Sequence, residues 1–388
     1  MAVKVCINGQ MQKIDTLWHK PVTFINGQKK TLTKAWTFIN GTKHLLWGQE
    51  GVNIDYIKAT GAVSGYSDII AVGDNWLITS GQGNGYYENV VRWNIANVSN
   101  PSVVQNAAWG TVNFNGFNGY KSVGANNMFF SADTTQMSST AGNELLVNPS
   151  TGVITINDTL STTANNSAKT IGVVGSQFVS YRQLRASGYG GLKWTWGTQY
   201  YFDTTMVRQT GESDPGSGNF HYYVEGSGAI QTSNTEVLVR TNKGTYALSS
   251  SAFTQKSTTI GDLLMYDGTY IIAKTQTGFG VYNKSTLAEV MHHDADSGDT
   301  SLFIGKNGNY YYTAEFNTNA AKLLVLDASD LSTVWTVDMP LDPFGDGSGM
   351  NFWTNAFARP QVTQTGYLGV SGHFNGNTRI IRFSELFS

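Results

Sequence analysis

Val281-Tyr-Asn283-Lys-Ser-Thr-Leu287 and Leu324-Val-Leu-Asp327-Ala-Ser-Asp-Leu331 share one design: an apolar run ends in Asn or Asp, a Ser-bearing turn follows, and a leucine closes it. Asn, Asp and Ser side chains accept backbone amides two residues on, which stabilises tight connections between strands. The same unit returns, less complete, as Val91-Arg-Trp-Asn94, Leu146-Val-Asn148-Pro-Ser-Thr-Gly152 and Ile381-Arg-Phe-Ser384.

The anchors at 94, 148, 283, 327 and 384 lie 54, 135, 44 and 57 residues apart, and 135 is three times 45. Two degenerate copies therefore fill the gap, at Leu192-Lys-Trp-Thr-Trp196 and Thr245-Tyr-Ala-Leu248. Seven units at a mean period of about 48 residues fit the four-stranded blade of a β-propeller, six or eight blades being the alternative if a degenerate unit is miscounted. A second strand, opened by a small or polar turn, precedes each unit, as in Asp74-Asn-Trp-Leu-Ile78 and Asp267-Gly-Thr-Tyr-Ile-Ile272. The expected fold class is all-β: a seven-bladed propeller over residues 49–388, preceded by a small N-terminal β-hairpin docking module over residues 1–48. The last unit stops after its third strand. Residues 52–58, Val-Asn-Ile-Asp-Tyr-Ile-Lys, partly alternate apolar with polar and are expected to close the last blade, removing an exposed edge.

Composition agrees with a β protein whose surface is polar through Ser, Thr and Asn rather than charge. Charged residues are 13% of the 388, about half the usual ~25%, and there are 43 glycines. Aromatics at 12% exclude a disordered chain. A net charge of −2 provides no overall field for phosphate backbones or anionic lipid, so nucleic acid is not an expected partner. No apolar run approaches the ~20 residues of a membrane helix, and the start reads as no signal peptide, so membrane insertion and export are not expected. The single Cys6 has no internal partner for a disulfide.

The first 48 residues repeat at a period of 18: Cys6-Ile-Asn-Gly-Gln to Trp18, Phe24-Ile-Asn-Gly-Gln to Trp36, and a shortened copy, Phe38-Ile-Asn-Gly-Thr to Trp47. Asn-Gly fits both left-handed positions of a type I′ turn, so Asn8, Asn26 and Asn40 each mark a hairpin tip. So short a piece buries too little apolar area to fold comfortably alone. Trp18, Trp36 and Trp47 are therefore candidate docking residues, the alternative being a small sheet that caps the propeller. His19 and His44 lack neighbours at metal-ligand spacing.

Three loops carry what chemistry there is. His292-His293-Asp294-Ala-Asp296-Ser-Gly-Asp299 resembles a calcium loop, with alternate carboxylates on a Gly-bent turn, although the later bidentate Glu is lacking. Asp294, Asp296 and Asp299 are candidate ligands for Ca2+, the alternative being a solvated inter-blade loop. Since adjacent strand residues point to opposite faces, only one of His292 and His293 can join them. Glu212 and Asp214, with Asp342 and Asp346, are candidate paired carboxylates for glycan hydrolysis, or else turn formers. Trp353, Phe352, Tyr200 and Tyr222 are candidate ligand-binding rings, since exposed aromatics stack on sugar faces; packing between blades is the competing use. No catalytic constellation and no cofactor emerge.

The Phe-Ile-Asn-Gly-x-Lys hairpins, followed by Leu45-Leu-Trp-Gly48 and a low-charge β domain, resemble virion proteins of tailed bacteriophages. The resemblance implies a protein made in the host cytoplasm and located in the virion, docked on tail or collar proteins in multiple copies per particle. The propeller would then be decoration or a host-attachment module binding a cell-surface glycan. Two other classes stay open: a propeller glycan hydrolase or lyase acting on host polysaccharide, and a bacterial surface scaffold propeller. The stretch Leu326-Asp-Ala-Ser-Asp-Leu-Ser-Thr-Val-Trp335 is also similar to quinoprotein-like propeller repeats, but their regular Trp-docking motif does not recur and no quinone is implied.

Overall fold

A computed structural model describes residues 4–7, 10–13, 22–25, 28–31, 34–39, 42–48, 53–59, 67–83, 87–108, 114–121, 128–134, 144–147, 153–157, 166–174, 177–185, 194–202, 208–210, 224–241, 244–249, 253–347, 350–358, 360–363, 366–374 and 377–384. The chain divides into two compact units, Met1–Val52 and Asn53–Leu386.

The first unit contains three separate two-stranded antiparallel sheets: β1 (Lys4–Ile7) with β2 (Gln10–Lys13), β3 (Val22–Ile25) with β4 (Gln28–Thr31), and β5 (Lys34–Ile39) with β6 (Thr42–Gly48). The pairs that flank the connections are Ile7↔Gln10, Ile25↔Gln28 and Ile39↔Thr42. Two residues separate the strands in each case, the length that primed turns serve.

The second unit is a succession of antiparallel sheets, each built from consecutive strands. After β7 (Asn53–Ala59) come β8 (Ser67–Val72), β9 (Trp76–Gly83), β10 (Tyr87–Asn94) and β11 (Ser102–Ala108) in one sheet. The next holds β12 (Phe114–Lys121), β13 (Met128–Thr134), β14 (Glu144–Val147) and β15 (Ile154–Asn157), followed by β16 (Asn166–Val174), β17 (Gln177–Arg185), β18 (Trp194–Phe202) and β19 (Arg208–Thr210). Then come β20 (Val224–Ser233), β21 (Glu236–Thr241), β22 (Gly244–Leu248) and β23 (Phe253–Ser257), and after them β24 (Leu263–Tyr266), β25 (Tyr270–Lys274), β26 (Gly278–Asn283) and β27 (Glu289–Asp294). A five-stranded sheet joins β28 (Thr300–Asn307), β29 (Tyr310–Phe316), β30 (Ala321–Asp327) and β31 (Thr333–Met339), with β33 (Gln361–Val362) added in parallel beside β28. Between β31 and β33 lie the short helix α1 (Met350–Thr354) and β32 (Phe357–Ala358). The last sheet is β32, β34 (Leu368–Phe374), β35 (Asn377–Ser384) and, from the other end of the unit, β7.

β7 runs antiparallel to β35, with Ile57 opposite Ile380 and Asp55 opposite Arg382. One core of Ile57, Ile69, Val72, Leu77, Val91, Trp93, Ile95 and Ile380 then packs this last sheet against the sheet of β8–β11. Elsewhere neighbouring sheets pack in the same way: Ile230, Leu238 and Ala247 meet Ile260, Leu263 and Ile271, while Met265, Ile272 and Phe279 meet Phe303, Tyr311 and Leu324. Four-stranded meanders stacked face on face, the last sheet packed on the first, are the topology of a β-propeller.

Polar staples reinforce two of these seams. Arg382 donates to Asp55 Oδ2 through Nε at 2.8 Å and Nη2 at 2.5 Å, and through Nη1 to the carbonyls of Gly73 (3.3 Å) and Asp74 (2.6 Å) in the β8–β9 turn. Its guanidinium lies 4.8 Å from the centre of the Tyr367 ring, whose hydroxyl donates to Asp74 Oδ1 at 2.8 Å. Asp267, in the β24–β25 turn, accepts from the amides of Thr269 (2.8 Å) and Tyr270 (2.6 Å) and, across the seam, from Lys306 Nζ (2.7 Å) and Tyr311 OH (2.6 Å).

The turn chemistry is local. Asn94 Oδ1 accepts from Ala96 N at 3.0 Å, Asn283 Oδ1 from Ser285 N at 2.9 Å, and Asp327 Oδ1 from Ser329 N at 2.8 Å. Leu287 and Leu331 close their turns at φ of 54° and 61°, a left-handed conformation costly for leucine. Their side chains are buried against the core, which offsets that strain. Beyond the turn each outer strand bulges identically. The ladder passes from Trp93↔Val103 to Arg92↔Gln105, from Tyr282↔Glu289 to Val281↔Met291, and from Leu326↔Thr333 to Val325↔Trp335. The skipped residues are Val104, Val290 and Val334, 49%, 48% and 45% exposed. A bulge bends an outer strand and spoils its edge as a template for further pairing.

Candidate functional site

The most charged cluster among the described residues forms where β27 leads into β28. Gly298, at φ 89°, bends this connection, and Asp299 N donates to Asp296 O at 2.8 Å, so the two carboxylates turn toward the β29–β30 hairpin. Glu315 and Lys322 lie there. Asp296, Asp299 and Glu315 place carboxylate oxygens within 4.8 Å of one another. Lys322 Nζ sits among them, 3.0 Å from Glu315 Oε2, 3.6 Å from Asp299 Oδ2 and in contact with Asp296 Oδ2. His293 Nε2 is 2.7 Å from Glu315 Oε1, and Asn317 Nδ2 donates to Asp299 Oδ1 at 2.5 Å.

The expected triplet is met in part: Asp296 and Asp299 come together with Glu315, and Asp294 does not join them. Asp294 belongs to a different group: it accepts from Thr277 Oγ1 and lies 3.5 Å from His292 Nε2. Alternation along β27 sends His293 toward Glu315 and His292 toward Glu289, whose Oε1 is 3.0 Å from His292 Nδ1. The remaining carboxylates have an internal cation in Lys322, which four positions of loop sequence could not reveal. Burial raises the pKa of Glu315, but hydrogen bonds from His293 and Lys322 outweigh it and hold the carboxyl below its ordinary value. Burial works against charge on Lys322 as well, yet its bonds to Asp296 and Glu315 push its pKa up. The arrangement keeps Glu315 ionised at a site only 1% exposed and ties the inter-sheet connection to the next hairpin.

Replacing Lys322 by Met is expected to destabilise the protein by about 2 kcal/mol, less than a fully buried pair because the ammonium is partly solvated. Chemical denaturation checks this. Millimolar calcium should leave the wild-type midpoint unchanged, because the ammonium occupies the centre of the carboxylate group.

The candidate aromatic platform is also corrected. Phe352 and Trp353, on α1, are both 0% exposed. Trp353 packs on Phe316 at 5.7 Å and donates from Nε1 to Pro340 O at 3.2 Å; Phe352 packs on Phe344 at 5.3 Å. Gly372 admits Phe352, whose ring would stand 2.7 Å from a Cβ at that position. Rings so enclosed have no face for a sugar. Tyr200 lies on β18 opposite Ser180 and Thr210, but its ring falls outside the described residues, as do Tyr222, Glu212 and Asp214. Asp342 accepts from Gly347 N at 2.9 Å within its own loop, and Asp346 pairs with Arg379 Nε at 2.9 Å. Trp36 stands opposite Leu45 and Trp47 opposite Ala35 in the β5–β6 ladder. Trp18, Asn8, Asn26 and Asn40 lie outside the described residues.

Fold and site define an all-β protein of propeller topology in which Asp267, His293 and Arg382 make polar bonds between neighbouring sheets. No protein-family model matches the chain, and no curated protein matches its sequence. Among solved structures it is similar to the Cps50 (Swd1) β-propeller domain of Myceliophteria thermophila, at 12% identity and a TM-score of 0.47, over 86% of this chain and 99% of that one. It is also similar to the dihydro-heme d1 dehydrogenase NirN (10% identity, TM-score 0.43, 82% of this chain and 63% of that one) and to the AfRom2 CNH domain (8%, 0.42, 87% and 100%). Likeness at that level carries no function across. Among the described residues no helix is long and apolar enough to cross a membrane.

Proposed function

We propose that this chain is a non-enzymatic structural protein of a tailed-phage virion, docked on tail or collar proteins through hairpins β1–β6. It presents a seven-bladed β-propeller, closed by β7, as decoration or as a host-receptor-binding module. The observation that carries the reading is the contrast between the units. The second has extensive cores linking its sheets. The first consists, among the described residues, of hairpins that are each a two-stranded sheet of their own. Isolated hairpins are marginal in water, and a third strand or a packed surface is what stabilises them. A partner supplies that surface. Copies arrayed on a particle would turn weak contacts with a cell-surface glycan into useful avidity.

Deleting residues 1–48 tests the docking. Incorporation into purified particles, read by mass spectrometry, should be abolished while circular dichroism of the remaining chain keeps its β signature. Undiminished incorporation would sink the reading. New reducing or unsaturated ends after incubation with host envelope polysaccharide would overturn its non-enzymatic part.

A further inference from the structure

The overall charge of −2 conceals a segregation. Residues 1–48 hold seven lysines, at 4, 13, 20, 29, 30, 34 and 43, against Asp15 alone, a formal charge of +6; the rest of the chain therefore carries −8. The pairing registers place six of these lysines on hairpin strands. Lys4 stands directly opposite Lys13 in the β1–β2 ladder, and Lys29 and Lys30 face Phe24 and Thr23 across β3–β4. Lys34 begins β5, and Lys43 faces Phe38 on β6. Like charges directly opposite one another weaken a hairpin that is already short, so the first ladder is built at an electrostatic cost.

We infer that the hairpin unit docks on an acidic protein surface, whose carboxylates offset the lysine repulsion and supply the missing packing partner. This rests on the docking reading and gives its partner a chemistry. Charge complementarity argues for the occupant: a basic unit of 48 residues on a body of opposite sign is attracted to a compact anionic patch. An extended polyanion such as duplex DNA, or an anionic bilayer, is met by the whole chain, whose net charge of −2 provides no overall attraction. All seven cationic groups are lysine and none arginine, so the forked donor that grips phosphate bidentately is lacking.

The test uses the full chain and a variant with Lys4, Lys13, Lys29 and Lys30 replaced by Gln. Fluorescence anisotropy is measured with labelled poly-L-glutamate, with a DNA duplex and with phosphatidylglycerol vesicles, at low and high salt. The expected result is binding to poly-L-glutamate in preference to the other two, weakened at least tenfold by the four substitutions and steeply by salt. Equal binding by the variant, no binding to poly-L-glutamate, or tighter binding to DNA or to vesicles overturns the inference. Incorporation into particles separates the two readings and holds even where the hairpins of the variant are loosened. If the lysine variant is incorporated like wild type while deletion of residues 1–48 is not incorporated, the acidic partner is wrong and docking stands. If the deleted chain is incorporated too, docking itself fails.

Discussion

Arg382→Met should lower the stability of the second unit by about 2–4 kcal/mol, the lower part of the range for a buried ion pair because the Asp55 side chain is 26% exposed. Arg382 is 8% exposed and holds two elements distant in sequence: Asp55 on β7, and the carbonyls of Gly73 and Asp74 in the turn of the following sheet. Methionine keeps much of the aliphatic stem, so the loss reports the guanidinium rather than the volume. Asp55 is then left with an uncompensated charge beside a buried core. Arg382→Met combined with Asp55→Leu should therefore recover part of the loss, as replacement of a buried pair by apolar groups often does. Urea denaturation of the two variants and of wild type measures both effects. A single variant within about 0.5 kcal/mol of wild type, the range of an ordinary surface change, would show that the clamp is not holding the seam.

Asp267→Ala should cost a similar amount, for a different reason. The Asp267 side chain is 0% exposed, and its loss strands the Lys306 ammonium, the Tyr311 hydroxyl and two turn amides at once. Burial raises the carboxyl pKa, but the bonds from Lys306, Tyr270, Tyr311 and Thr269 together bring it below its ordinary value. Burial first, then the bond to Asp267, raises the pKa of Tyr311, so its hydroxyl stays a donor. A carboxyl whose folded-state pKa is lowered stabilises the fold fully above its unfolded value of about 3.9, and that contribution is lost as pH falls through the folded value. The stability gap between wild type and Asp267→Ala is thus expected to be widest at neutral pH and to narrow toward pH 3. A gap that stays constant from pH 7 to pH 3 would assign the loss to packing instead of ionic bonding.

The turns were legible because their chemistry is local. Asn283 and Asp327 bond amides two residues on, and no distant residue decides that. The bulges at Val104, Val290 and Val334 recur beside those turns but left no mark in the sequence, since a bulge is a relation between two strands. The surroundings of two candidate sites escaped the sequence for the same reason. Phe352 and Trp353 neighbour a Gly-rich loop in sequence, yet Phe316, Phe344 and Gly372 enclose them. Asp296 and Asp299 read as cation ligands until Lys322, from the next hairpin, is seen among them.

By itself the amino-acid order determined the all-β class, the Asx-type turns and the alternation of short strands, all products of backbone preference and side-chain reach over a few residues. Which charges meet was decided only in three dimensions. Asp267 with Lys306, His293 with Glu315, and Arg382 with the carbonyls of Gly73 and Asp74 are joined by the stacking of sheets, and local preference carries no information about what the next sheet brings to the seam.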